Sequence, residues 1–82
     1  MASKTAYLFS NLETEDFKNA IEVYEVMTMF FPNDYEIYYK LGEANYKLKL
    51  YNKALLNYQK CSKHIPENEK LKEKINLVKK MI

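Results

Sequence analysis

Turn-forming residues are scarce in this chain, with one glycine and two prolines among 82 residues. A β-sandwich or barrel needs a turn signal every ten residues or so, and that supply excludes one. The single cysteine excludes an internal disulfide framework and any cysteine-based zinc site. No apolar run approaches the roughly 18 residues of a membrane helix. The chain does not open with a basic head and apolar stretch, as a secretory signal does. These absences set the expectation of a cytoplasmic protein that does not insert into a membrane. Arginine is missing altogether, every one of the thirteen basic residues being lysine. Phosphate and base recognition lean on arginine's planar fork, so no nucleic-acid partner is expected.

What remains is a chain that should fold as one small all-α domain. Hydrophobic residues make up 48% and charged residues 29%, a balance that supports a core. Charge is unevenly placed along it. Residues 1–34 carry two lysines and six carboxylates, a net −4, and the remainder carries eleven lysines and five glutamates, a net +6. A solvated lysine-rich face explains this, and so does attraction between molecules or toward an acidic partner.

A repeat runs through the chain with a period of 34 residues. Residues 1–34 set above 35–68 align Asn11 with Asn45, Ala20 with Ala54, Tyr24 with Tyr58 and Pro32 with Pro66. Phe17 falls over Tyr51, Ile21 over Leu55 and Met27 over Cys61. The spacing of apolar residues predicts helices over about 3–12, 16–30, 35–48, 52–64 and 68–81. Ser3 and either Thr14 or Asp16 are suited to cap the first two. Gly42 lies inside a helix, where glycine costs about 1 kcal/mol relative to alanine, and so marks the close approach of another helix. Ala54 and Cys61 are small enough to face it. Pro66 closes the unit, because it cannot continue the helical ladder. The last helix has Leu71, Ile75, Val78 and Ile82 on one stripe and lysines over much of the rest, as a terminal cap does.

Tyr38, Leu41, Gly42, Ala54, Tyr58, Cys61 and Pro66 at these offsets resemble the tetratricopeptide-repeat family. The resemblance implies antiparallel helical hairpins stacked as a short right-handed superhelix of about five helices. Residues 1–34 form a first repeat with a degenerate first helix, 35–68 a second, and 69–82 the capping helix. Departures fall at Leu8, in the place of Gly42, at Lys4, at Asn11 and Asn45 where a tyrosine is common, and at Lys49-Leu50 in the inter-helix turn.

First helices of such repeats line a concave groove that takes a peptide. Carried over residue by residue, the groove positions include Thr5, Phe9 and Leu12, then Tyr39, Glu43, Tyr46 and Lys47, then Lys70 and Lys74. The family's carboxylate-clamp subgroup uses two lysines, two asparagines and an arginine at positions that fall here on Thr5, Phe9, Lys40, Lys70 and Lys74; the last two keep positive charge but both asparagines are gone, so that clamp is not expected.

Nothing in the sequence points to catalysis. His64, the only histidine, suits the last turn of a helix, where a cation complements the dipole. Cys61 falls on a packed face with no histidine–aspartate set beside it, and reads as a core residue. Glu13-Thr-Glu-Asp16 lacks the spacing and glycine of a calcium loop. No phosphate loop is present. No metal or cofactor is expected.

The helix over residues 16–31 is apolar nearly all round. Val23, Val26, Met29 and Phe31 stand out, because their counterparts one repeat later are Asn57, Lys60, Lys63 and Ile65. Such surplus apolar surface marks an interface, here Val23, Val26, Met29, Phe30 and Phe31. Two repeats and a helix also fall short of the three units a stable array needs.

The reading is therefore a non-enzymatic interaction module that holds a peptide or helical segment of a protein partner, acidic where the groove lysines steer it. The alternatives are a self-assembling scaffold unit, a homo-oligomer through helix 16–31, or a small chaperone of this family that masks a client segment.

Overall fold

A computed structural model describes the backbone of residues 2–82 and the side chains of residues 16–82. It consists of four helices: α1 (Ala2–Phe30), α2 (Tyr35–Lys47), α3 (Tyr51–Ser62) and α4 (Glu69–Met81). Each packs on the next, α1 on α2, α2 on α3 and α3 on α4, with the most extensive contact between α2 and α3. Among the described residues there is no strand, and no helix is long and apolar enough to cross a membrane.

The 34-residue period is written into the backbone of the turns. Phe31 N–H donates to the Met27 carbonyl at 2.8 Å and Asp34 N–H to the Phe31 carbonyl at 3.1 Å. One period later, Ile65 N–H donates to Cys61 at 3.3 Å and Asn68 N–H to Ile65 at 3.1 Å. Asp34 and Asn68 then cap the helices that follow, their side-chain oxygens accepting from Glu36 N–H at 3.1 Å and Leu71 N–H at 2.9 Å. Each cap satisfies a backbone donor that the first turn of a helix leaves unpaired. Tyr38 adds a tie, its hydroxyl donating to the Pro32 carbonyl at 2.9 Å.

The turn between α2 and α3 is built differently. Lys49 takes the left-handed conformation, φ 62°, with its N–H on the Tyr46 carbonyl at 2.9 Å and Leu50 N–H on the Asn45 carbonyl at 2.9 Å. These two bonds close a helix end of the Schellman type, usually made by glycine. Lysine holds the conformation here at a steric cost, because the turn brings α2 and α3 together.

The first repeat departs from the sequence pattern. Where separate helices over 3–12 and 16–30 are expected, the backbone runs as one helix from Ala2 to Phe30, so the described residues form four helices where about five are expected. Residues 13–16 contain neither glycine nor proline, so nothing local forces the helix to end there.

The core lies between α2, α3 and α4. Ala54, Tyr58, Cys61, Leu71 and Val78 are buried together, and Ile37, Leu41 and Ala44 extend the burial along α2. Ile37 and Leu71, and Ala44 and Val78, stand one period apart, so α4 meets α3 through the same positions that α2 buries. Gly42 is the point of closest approach, as its place in a helix foretold, but its neighbour is not Ala54 or Cys61. The Tyr58 ring fills the space, and a β-carbon at residue 42 would lie 2.5 Å from it. On α1, Phe17, Ala20, Ile21, Tyr24, Met27 and Thr28 are half-buried, whereas Ala54, Tyr58 and Cys61, the counterparts of Ala20, Tyr24 and Met27, are fully enclosed. The difference follows from position: α3 lies between two helices, and α1 packs on one.

Candidate peptide-binding groove

A cleft of about 370 Å³ opens between the N-terminal half of α2 and the start of α4. Tyr35, Tyr39, Lys40 and Glu43 line it from α2, Ile65 and Asn68 from the connecting turn, and Lys70 from α4. Tyr39 anchors its floor. Its ring packs edge-on against buried Tyr58, with centroids 5.8 Å apart. The Lys74 ammonium stands over the same ring at 5.6 Å from the centroid and 3.9 Å from a Glu43 carboxylate oxygen. Burial pushes the Tyr39 hydroxyl above its ordinary pKa and the Glu43 carboxylate adds to this, while Lys70 pulls the other way. Both partners of the Lys74–Glu43 pair are substantially exposed, so the pair adds little to stability and can exchange partners readily.

The residues carried over from the sequence divide among separate places. Tyr39, Glu43 and Lys70 share the cleft. Tyr46 packs edge-on against Tyr51, centroids 5.6 Å apart, and meets Lys74 in a small recess further along α4. Lys47 lies instead on the other flank of α2, in a hollow of about 280 Å³ with Phe17, Ala20 and Tyr24 of α1. Thr5, Phe9 and Leu12 lie outside the described side chains. The lining by Tyr35 and Ile65 had no signal in the helix spacing, because both sit at the ends of elements, where the path of the turn decides which way they face.

A further hollow, of about 720 Å³, lies on the opposite side of α2, with α1 and α3 as its walls. One wall carries Glu22 and Glu25, the other Lys53 and Lys60, and Asn45 lies at its base. Asn45 is 2% exposed, and its amide donates to the Leu41 carbonyl at 2.8 Å. Its side-chain oxygen is buried without a partner. A desolvated, unpaired carbonyl costs about 1–3 kcal/mol. Asn45→Leu removes that penalty and is expected to raise stability by about 1 kcal/mol, seen as a higher urea midpoint at unchanged slope.

The self-association residues stand in water in this chain. Met29 and Phe30 are 78% and 73% exposed, and Val23, Val26 and Phe31 are each more than half exposed. Cys61, by contrast, is fully enclosed, and burial raises its thiol pKa, which suits packing and not nucleophilic attack. No family model, curated protein or solved structure matches the chain.

Proposed function

We propose that the chain is a protein–protein interaction module of the tetratricopeptide-repeat kind, a short right-handed superhelix that takes an acidic peptide segment in the cleft between α2 and α4. One observation carries this reading: an aromatic floor, Tyr39, is braced from below by Tyr58 and flanked by the half-exposed ion pair of Lys74 and Glu43 with Lys70 beside it. A tyrosine with a buried edge and a wet face adds contact area while losing little side-chain entropy. The two lysines supply the attraction. A carboxylate of the peptide replaces that of Glu43 on Lys74, so an ion pair is exchanged instead of broken.

The test is a random-peptide display selection on the intact chain, followed by binding kinetics of the peptides it yields. Acidic residues are expected to be enriched among them. Lys70→Glu with Lys74→Glu is expected to lower the association rate at low salt about tenfold, with a smaller change in dissociation. Tyr39→Ala is expected to act the other way round, on dissociation. Selected peptides without acidic bias, or association rates that both lysine changes leave unaltered, contradict the assignment.

A further inference from the structure

The hollow on the far side of α2 has three helical walls, each contributing a stripe two turns long. Tyr38, Leu41 and Asn45 form its base, residues between Glu22 and Met29 of α1 one side, and residues between Lys53 and Lys60 of α3 the other. Seven residues of helix span about 10 Å, so the hollow is a trough of that length lying along the helices. A trough of this kind takes the ridge of another helix, whose residues at i, i+3, i+4 and i+7 cover the same two turns. An extended segment would place only about three residues in it. Val26 and Met29 on one rim and Leu56 on the other are each more than half exposed, and they offer such a ridge apolar contact.

Two features say what that helix must carry. The first is charge. Glu22 and Glu25 stand on the α1 wall and Lys53 and Lys60 on the α3 wall, and the ion pairs among the described residues, Lys72 with Glu69 and Lys74 with Glu43, lie elsewhere. The trough holds opposite charges apart, so an occupant with lysines along one flank and glutamates along the other meets an opposite charge on both sides. A helix with one sign on both flanks is repelled by one wall. The second feature is Asn45, enclosed at the base. Its amide nitrogen is committed to the Leu41 carbonyl, and its oxygen has no partner. A desolvated acceptor at the bottom of an open trough is matched by a donor on the ridge, such as an asparagine, glutamine or serine side chain.

A second copy of the chain does not supply this occupant. Beside exposed Val26 and Met29, α1 carries the carboxylates of Glu22 and Glu25, which would meet their own kind on the α1 wall. Beside exposed Leu56, α3 carries Lys53 and Lys60, which the α3 wall would repel in the same way. α4 exposes Asn76 and Lys80 where an apolar ridge is needed.

We infer that this hollow is a second docking site, for an amphipathic helix of another protein. That helix has an apolar ridge with a hydrogen-bond donor in it, basic residues on the flank facing α1 and acidic residues on the flank facing α3. The opposed walls also fix the direction in which it lies, since turning it end for end exchanges its flanks. This inference does not rest on the groove assignment. The cleft between α2 and α4 lies on the other side of α2 and shares no residue with the hollow. Docking also gives the unpaired Asn45 oxygen a use, because the donor removes in the complex what the oxygen costs the free chain.

The probes are synthetic helices of about 20 residues, long enough to be helical alone, built on one leucine ridge with a central asparagine. One has lysines along one flank and glutamates along the other, one has lysines on both, and one has glutamates on both. In calorimetric titrations of the intact chain at low salt, the mixed helix is expected to bind about tenfold tighter than either single-sign helix. Glu22→Lys with Glu25→Lys, both at exposed positions, is expected to reverse that order in favour of the glutamate helix. Asn45→Leu is expected to weaken the mixed helix about tenfold even as it makes the free chain more stable, a combination that a merely structural asparagine does not give. Replacing the central asparagine of the probe by alanine should weaken binding to the parent chain and not to the Asn45→Leu chain. Equal binding of the three helices, or binding of none, overturns the inference. So does an order that the charge reversal on α1 leaves unaltered, an Asn45→Leu chain that binds like its parent, or binding that Tyr39→Ala abolishes, which would place the helix in the cleft.

Discussion

Tyr58→Ala is expected to cost about 3–5 kcal/mol, the range for removing an aromatic ring from a packed core. A chain of 82 residues has on the order of 4–12 kcal/mol in total, so the variant should be largely unfolded well below the melting temperature of the parent. The size of the effect comes from where the ring sits. It fills the notch at Gly42, lies edge-on to Tyr39 and shares the buried cluster with Ala54, Cys61, Leu71 and Val78. Its loss leaves a cavity that α2, α3 and α4 all border, and close-packed helices relax into such space only in part. Tyr58→Phe separates the ring from the hydroxyl. Burial, and then the Glu43 carboxylate, hold the Tyr58 hydroxyl well above the ordinary tyrosine value near 10. A pKa raised in the folded state means that folding opposes loss of the proton. That stability is fully present below the unfolded value and is lost as pH rises past it. Urea midpoints of the parent chain should therefore fall above about pH 10, and Tyr58→Phe should flatten that decline while keeping most of the stability at neutral pH. If Tyr58→Ala melts within a few degrees of the parent, the core does not depend on this ring.

Much of α2, α3 and α4 was legible because those helices carry their own punctuation. Asp34 and Asn68 precede apolar stripes at helical spacing, each with a proline two residues before it, and both act as caps. Gly42 announced a close crossing correctly, but helix spacing alone does not say which side chain enters the notch; that depends on the angle at which α3 lies across α2. Lys49 shows the limit of turn chemistry. A lysine closes the helix where glycine is the usual choice, because the faces of α2 and α3 that the turn brings together outweigh its strain. Residues 13–16 show the converse. Thr14 and Asp16 look like caps, yet without a breaker and with helix-forming neighbours the ladder continues through them. The cleft was legible in its charged and aromatic members on α2 and α4. Lys47 fell on the other flank, because 8 residues beyond Tyr39 a helix has turned by more than the width of a groove. The hollow between α1 and α3 was not legible at all, being a property of three helices and of none singly.

Gly42→Ala isolates the crossing of α2 and α3. On propensity alone the change should stabilise the helix by about 1 kcal/mol. The added β-carbon, however, would lie 2.5 and 2.6 Å from two ring carbons of Tyr58 and 3.0 Å from a third. These atoms are the near edge of a rigid ring, and no flexible tip is available to swing aside. The ring is itself enclosed, so the two helices must separate, and overpacking of this kind costs about 1–3 kcal/mol. Gly42→Ala is therefore expected to lower stability by about 1–2 kcal/mol in the parent chain, the steric cost exceeding the gain in propensity. The decisive comparison is the same substitution in a Tyr58→Leu background. Leucine branches differently and is smaller, so the β-carbon finds room and alanine's better helix propensity should reappear as a neutral or stabilising effect. A coupling of more than about 1 kcal/mol between the two positions, measured as a double-mutant cycle in urea, is the expected result. Additive effects, or a Gly42→Ala chain more stable than its parent, would mean that α2 and α3 are free to move apart and that glycine at this position is not required by the ring beneath it.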